Sequence, residues 1–491
     1  MQPLRFSTKF WFGLGQAAEG IKNAAFTIFL LFFYSQVLGL PGVLTGLALF
    51  IALLFDAVTD PLAGSISDSL KHRWGRRHPV MYASAVPLGI SFALVFSPPR
   101  DLGDTGLFIW LTVCTILTRG AMTLYHVPHL ALGAELTDDY RERTIVVAYR
   151  TFFQFLGSGV LFLLTAIFFF QATTDFENGQ LNPAAYPGLG LLFGLVMIVT
   201  ILASALGTHS RIPYLRPPYE NPQPFSAQRL MREMREALAN PSFRAFFGCL
   251  IVFFVARGVE LALSLNMGTY FWELDGQEVT LIPLFGLGGI LVSTPIWAAS
   301  SRFLEKRPMF LIGITWFSVL TMLLPLARIW DLFPSRDHPS YVPLIFGIAF
   351  LAAFGGGAPV VVSGSMLADI ADEHELDTGR RQEGIFFGAL SFAGKTAAGL
   401  GAALAGLAIT LIQFPLQAEP GTVPQPTVHA LGYIAGPGVA LLAAIGIWLM
   451  TRYSLDRARH ARIQSALGAR RDARSDEART TPQLLRSSHL R

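Results

Sequence analysis

The strongest constraint on this chain is its series of long apolar stretches. Twelve can be marked, near residues 11–38, 43–67, 79–97, 106–131, 145–170, 187–207, 243–272, 280–300, 308–327, 341–367, 384–413 and 428–452. A bilayer core about 30 Å thick needs about 20 apolar residues in a helix to cross it. Lipid offers no hydrogen bonds, so each crossing segment must bond its own backbone, which a helix does. The expected fold class is an all-α membrane protein with twelve transmembrane helices. Only 14% of the residues are charged and the mean hydropathy is +0.48, whereas a soluble domain is about 25% charged. The first apolar segment is too long for a cleavable signal, and no small-residue cleavage site follows it before the second.

Basic residues set the expected orientation, because loops on the cytoplasmic side carry the excess of Lys and Arg. The connections after even-numbered spans carry Lys71, Arg73, Arg76 and Arg77, then Arg141 and Arg143, then Arg211 to Arg235, then Arg302, Lys306 and Arg307, then Arg380 and Arg381. The other connections carry Arg100, Arg328 and Arg336 alone. Both termini are therefore expected in the cytoplasm, and the protein is expected as a multi-pass protein of the plasma (inner) membrane. The pI near 9.1 follows from this bias and from the tail, so the lipid bilayer is an expected partner and nucleic acid is not. The only cysteines, Cys114 and Cys249, lie inside spans, which leaves no disulfide framework or metal cluster.

The chain repeats itself at an offset of 234 residues. Val58-Thr59-Asp60-Pro61-Leu62 aligns with Val292-Ser293-Thr294-Pro295-Ile296, and Ala134-Glu135-Leu136-Thr137-Asp138 with Ala368-Asp369-Ile370-Ala371-Asp372. Each pair ends the corresponding span and leads into a basic loop. This implies a duplicated six-helix bundle, which resembles the major facilitator fold with a solute site between its halves. The expected organisation is an N-terminal bundle over 1–207, a cytoplasmic linker over 208–241, a C-terminal bundle over 242–453 and a basic tail over 454–491. The linker starts Pro-rich and ends in an amphipathic helix over Ser226–Asn240. The tail is expected to be disordered beyond its first turns.

Asp56 and Asp60 stand one helical turn apart inside the second apolar stretch. An ionised group at that depth costs about 2.5–3.5 kcal/mol on insertion scales. Positions i and i+4 share a face, so two like charges there call for a cation between them or a proton on one. The competing reading is a structural pair bridged to a Lys or Arg of a neighbouring helix. At the repeat offset Asp56 becomes Ile290, Asp60 becomes Thr294 and His126 becomes Val360. Acids that occur in only one half point to function rather than to the fold. Arg119, Thr123, His126 and Leu130 share one face of the fourth span, where Thr123 could instead back-bond to its own helix. Glu19 and Asn23 in the first span, Arg150 in the fifth and Lys395 in the eleventh complete the buried polar set. Arg257 and Glu260, at i and i+3, could simply neutralise each other.

On these residues the sequence resembles the glycoside–pentoside–hexuronide:cation symporter family of the melibiose permease type. It is also similar to the sodium-dependent lysolipid transporters. Phe55 to Pro61, the loop Arg73-Trp74-Gly75-Arg76-Arg77, and Ala371-Asp372-Glu373-His374-Glu375 followed by Gly394-Lys395 carry the resemblance. It implies that Asp56 and Asp60 bind Na⁺, Li⁺ or H⁺, with Thr59 and Thr123 beside them. It also implies that Lys395 and Arg150 match a Lys and an Arg of the family. The family's sugar-binding acids are replaced, one by Gly20 with Glu19 a residue early, the other by His126. Its aromatic platform is Leu130.

The expected function is secondary active transport that couples Na⁺ or H⁺ to uptake of a small solute, a sugar, glycoside or sugar acid. Cation binding is assigned to Asp56, Asp60, Thr59 and Thr123, and coupling to Lys395 and His126. Solute binding is assigned to Glu19, Asn23, Arg119, Arg150 and Lys395. A cytoplasmic gate of Arg/acid pairs is assigned to Arg76, Arg77, Glu135, Arg141, Asp372, Arg380 and Arg381. No cofactor is expected beyond the coupling ion, and a monomer is expected. The alternative is a cation-coupled carrier of a lysolipid or other amphiphile. More remote are a membrane-embedded aspartyl enzyme, which usually draws its two acids from facing helices, and a non-transporting sensor.

Overall fold

The computed structural model describes residues 4–137, 139–215, 227–380 and 383–470, and every regular element among them is a helix. Among the described residues, twelve helices are long and apolar enough to cross a membrane. They are α1 (Phe6–Val37), α2 (Gly42–Ser69), α3 (His78–Val95), α4 (Asp104–Glu135), α5 (Arg141–Phe169), α6 (Ala185–Tyr214), α7 (Pro241–Ala262), α8 (Gly276–Ser300), α9 (Lys306–Ile329), α10 (Tyr341–Thr378), α11 (Gly388–Leu411) and α12 (Gln425–Met450). Helices α1–α6 pack as one bundle and α7–α12 as the other, the two six-helix halves that the sequence repeat implies.

Local signals set the helix starts. Asp139 accepts from the Glu142 amide at 2.8 Å to cap α5, and Asn240 accepts from the Phe243 amide at 2.8 Å to cap α7. Asp275 and Glu278 form a capping box on α8. The halves also share an irregularity. Helix α1 closes in a π-helical turn, Phe33–Val37, and the continuation of α7 closes in another, Met267–Phe271. The two turns stand apart by the same 234 residues as the sequence repeat.

Among the described residues, a set of close contacts between the bundles gathers at one end. Gly42 on α2 and Gly406 on α11 pack backbone to backbone. A Cβ at Gly406 would lie 2.1 Å from the Gly42 carbonyl oxygen, so only glycine permits the approach. At the same end the Val43 amide donates to Thr410 Oγ1 at 3.0 Å. Gln417 Nε2 donates to the Val37 carbonyl at 3.2 Å, and Tyr270 Oη donates to Gln36 Oε1 at 3.2 Å. The opposite end carries the basic loops.

Two extramembrane helices lie at the basic end. The linker helix, Ala227–Ala239, precedes α7; Ser226 and the Pro-rich stretch 216–226 lie outside the described residues. A tail helix over 457–470 docks on the end of α10, with Ile463 and Leu467 buried. Arg459 pairs with Glu373 at 2.8 Å, and Gln464 Nε2 donates to Asp372 at 2.5 Å. The tail is therefore ordered well past its first turns. The sequence pattern missed this because its anchors are only two apolar residues, and the acids they sit beside come from α10. Residues 471–491 lie outside the described residues.

Candidate functional site

Helices α2 and α4 run side by side in the same direction. Their polar positions share one spacing, Asp56 and Asp60 on α2, Arg119 and Thr123 on α4, so each residue of one pair meets its counterpart. Arg119 donates to Asp56 Oδ2 from Nε at 2.9 Å and from Nη2 at 2.6 Å, and both side chains are 5% exposed. Thr123 Oγ1 donates to Asp60 Oδ1 at 2.9 Å. Thr123 therefore does not back-bond to its own helix. Thr59 does, to the Phe55 carbonyl at 3.2 Å.

The third wall comes from the other half. Lys395 on α11 bonds Asp60 Oδ2 directly and reaches Asp56 Oδ2 at 3.6 Å. In this conformation, then, the acid pair is bridged by an Arg and a Lys, the geometry of the competing structural reading. Two features separate it from a merely structural pair. Asp56 Oδ1 is buried without a hydrogen-bond partner. The Asp60 and Lys395 side chains are 31% and 24% exposed, so that contact is open to exchange while Asp56–Arg119 is sealed. The free Asp56 Oδ1, the Asp60 carboxylate and the Thr123 hydroxyl are hard oxygen donors of the kind alkali cations take. Thr123→Val keeps the shape and removes one such donor. It should weaken Na⁺-induced thermal stabilisation about tenfold in midpoint concentration, the order of one hydrogen-bonding group.

A second polar group lies on α1. Glu19 Oε1 accepts from Asn23 Nδ2 at 2.8 Å and from Lys22 Nζ at 3.3 Å, and Glu19 Oε2 is unpartnered. Lys22 is 6% exposed and was not among the residues singled out from the sequence. Its i, i+3 spacing from Glu19 was the available signal. His126 faces Gln16, Nδ1 to Nε2 at 3.4 Å, and makes no bond to either aspartate. His129, also not singled out, is held as packing: it stacks on Phe12 with ring centroids 4.3 Å apart and bonds the Phe12 carbonyl at 2.9 Å. Arg150 on α5 is half-buried and has no hydrogen-bond or ion-pair partner among the described residues. Glu19, Asp56 and Asp60 thus face Lys22, Arg119 and Lys395, three charges against three, with Arg150 in addition. Arg257 and Glu260 do pair with each other.

The expected gate residues divide by half. Arg76 and Arg77 both hold Glu135, at 2.7 and 2.8 Å, and Arg77 also reaches Asp68 at 2.7 Å. Asp372 is engaged by the tail helix through His460 at 3.1 Å and Gln464. Arg380 reaches Glu236 of the linker helix at 3.4 Å. Arg141 is exposed at the start of α5. Arg381 lies outside the described residues. These described ion pairs therefore lie within a half or join it to the linker or tail.

Comparison with known proteins agrees with this architecture. The sequence pattern of the family described as MFS/sugar transport protein matches residues 11–457. The putative glycoside/cation symporter of Escherichia coli K12 is 25% identical, across 97% of this chain and 98% of that one. The sodium-dependent lysophosphatidylcholine symporter 1-A of Danio rerio is 25% identical, across 92% of this chain and 86% of that one. A crystal structure of a D-xylose–proton symporter superimposes with a TM-score of 0.63 at 13% identity, covering 92% of this chain and 98% of that one.

Proposed function

Because the chain belongs to the MFS/sugar transport protein family, we propose that it is a secondary carrier in which a cation at Asp56/Asp60 drives uptake of a small solute. One observation carries this reading: the acid pair of the N-terminal half is closed by Lys395 of the C-terminal half. A cation that takes the carboxylates must release Lys395, and so loosens a contact between the halves. Ion occupancy is thereby tied to the arrangement of the bundles. By linkage, a solute that favours the same arrangement raises the affinity for the ion.

With the basic loops in the cytoplasm, the tight Gly42–Gly406 contact between the halves faces outward. The solute meets Glu19, Asn23, His126 and Arg150 on the N-terminal side and Lys395 opposite, while Arg119, expected from the sequence as a solute ligand, is sealed against Asp56 and holds that acid in place. Thr59 Oγ1 donates its proton to the Phe55 carbonyl and keeps its oxygen lone pairs for a cation beside Asp60. Na⁺ or H⁺ serves as the coupling ion. A glycoside or other sugar derivative is the solute this polar lining fits, with an amphiphile as the second reading on the strength of the lysophosphatidylcholine symporter relative.

Counterflow in proteoliposomes tests the class. Vesicles preloaded with unlabelled solute should take up labelled solute transiently above equilibrium, faster with Na⁺ or at acid pH than with choline at pH 8. Hydrolysis without exchange would make the protein an enzyme, and binding without exchange a sensor.

A further inference from the structure

The duplication provides an internal control on packing. In the N-terminal half the space between α1, α3 and α4 is filled: Phe26 stacks on Phe92 with ring centroids 5.9 Å apart, and Arg119 is buried beside Asp56. At the 234-residue offset Phe26 becomes Glu260, Phe92 becomes Leu326, Thr118 becomes Ala352 and Arg119 becomes Ala353. Three of these residues, Glu260, Ala352 and Ala353, line a cavity of about 140 Å³ between α7, α8, α9 and α10, together with Met267, Ile282, Gly286, Leu324 and Ile345 among others. An apolar cavity of about 150 Å³ holds a ring the size of benzene.

The cavity is not merely loose packing. Arg257 and Glu260 line it as an ion pair, 25% and 26% exposed, and the Arg257 guanidinium lies 4.9 Å over the Phe317 ring. Ionised groups at membrane depth are costly, and apolar side chains would close the gap more cheaply. The depth is also telling. Gly258, next to Arg257, packs on α11 so closely that a Cβ would lie 2.1 Å from the Ala397 carbonyl oxygen. Ala397 is two residues beyond Lys395, so the ion pair stands level with the cation site. A largely apolar pocket with a few converging polar groups is the usual form of a small-molecule site.

We propose that this cavity receives the apolar part of the transported solute, a ring-sized aglycone or short alkyl group. The polar part of the same solute lies against the α1, α4 and α5 side chains. This rests on the reading of the protein as a carrier and narrows its substrate to conjugates with one polar and one apolar end. The Arg257–Glu260 pair sits where the two ends join and offers both a donor and an acceptor to the linking atoms.

The test uses purified full-length protein in nanodiscs and matched phenyl and methyl β-D-glycosides of glucose, galactose, xylose and glucuronic acid. For at least one sugar, the phenyl compound should give half-maximal thermal stabilisation at a concentration at least tenfold lower than the methyl compound. Ala349→Leu and Ala353→Leu, which fill the cavity, should keep the ligand-free melting temperature, abolish the phenyl advantage and leave the methyl response intact. Equal midpoints for every sugar that binds would overturn the proposal, whatever the variants do. So would a phenyl advantage that survives both fillings. If no sugar of the panel binds, the sugar reading fails, and the cavity is judged by the ¹⁹F line width of 4-fluorobenzyl alcohol. Broadening by wild type that is lost in the filled variants upholds an apolar subsite, and identical widths remove it.

Discussion

Asp56→Asn is expected to abolish cation-driven accumulation and to destabilise the protein as well, whereas Asp60→Asn is expected to abolish accumulation while leaving the fold intact. An amide keeps the volume of either side chain but removes the charge that a cation requires. The two positions differ in what they leave behind. Asp56 is sealed with Arg119, both 5% exposed, and breaking a buried pair from one side costs about 3–5 kcal/mol because the remaining charge has no partner. Asp60 is 31% exposed and shares Lys395 with Asp56, so Lys395 keeps a carboxylate when Asp60 is neutralised. Melting temperature in detergent should therefore fall sharply for Asp56→Asn and little for Asp60→Asn. The double variant Asp56→Asn/Arg119→Gln should recover the melting temperature without recovering transport. If either single variant still concentrates solute against its gradient, the ion site lies elsewhere. If the double variant recovers nothing, the Asp56–Arg119 pair is not the source of the lost stability.

Lys395→Ala is expected to break the coupling between ion and solute. Lys395 joins Asp60 of one half to the other half, and in the proposed cycle it competes with the cation for that carboxylate. Without it Asp60 loses its cationic partner, and the cluster of Glu19, Asp56 and Asp60 loses one of the positive charges that face it. The carboxylates should then hold an ion or a proton whether or not solute is present, and the nearby negative charge should favour the proton. In proteoliposomes Na⁺ should stabilise the variant at about tenfold lower concentration. The ion-to-solute ratio should slip, with ion flux in the absence of solute. Unchanged stoichiometry and unchanged ion preference would show that Lys395 is a static partner of the pair.

Much of this protein was determined by its sequence alone, for reasons that are local. Apolar length decides which segments cross the membrane, because a span must bond its own backbone and face lipid. The i, i+4 spacing decides that Asp56 and Asp60 share a face, and the repeat decides that only one half bears them. Those facts need no knowledge of how helices are rotated about their axes. The tertiary structure decided the partners, because partners depend on the rotation and register of helices far apart in the chain. Which neighbour reaches Asp56 turns on α2 and α4 lying in register, so that Arg119 seals one acid while Thr123 serves the other. That Lys395 of the opposite half lands on the same pair depends on the Gly42–Gly406 approach at one end of the bundle. The turn of Thr59 toward Phe55, the burial of Lys22 beside Glu19 and the docking of 457–470 on α10 follow from packing in the same way. So does the cavity at Ala353, which appears only when residues from four helices are small at the same depth. No single stretch of sequence carries that coincidence.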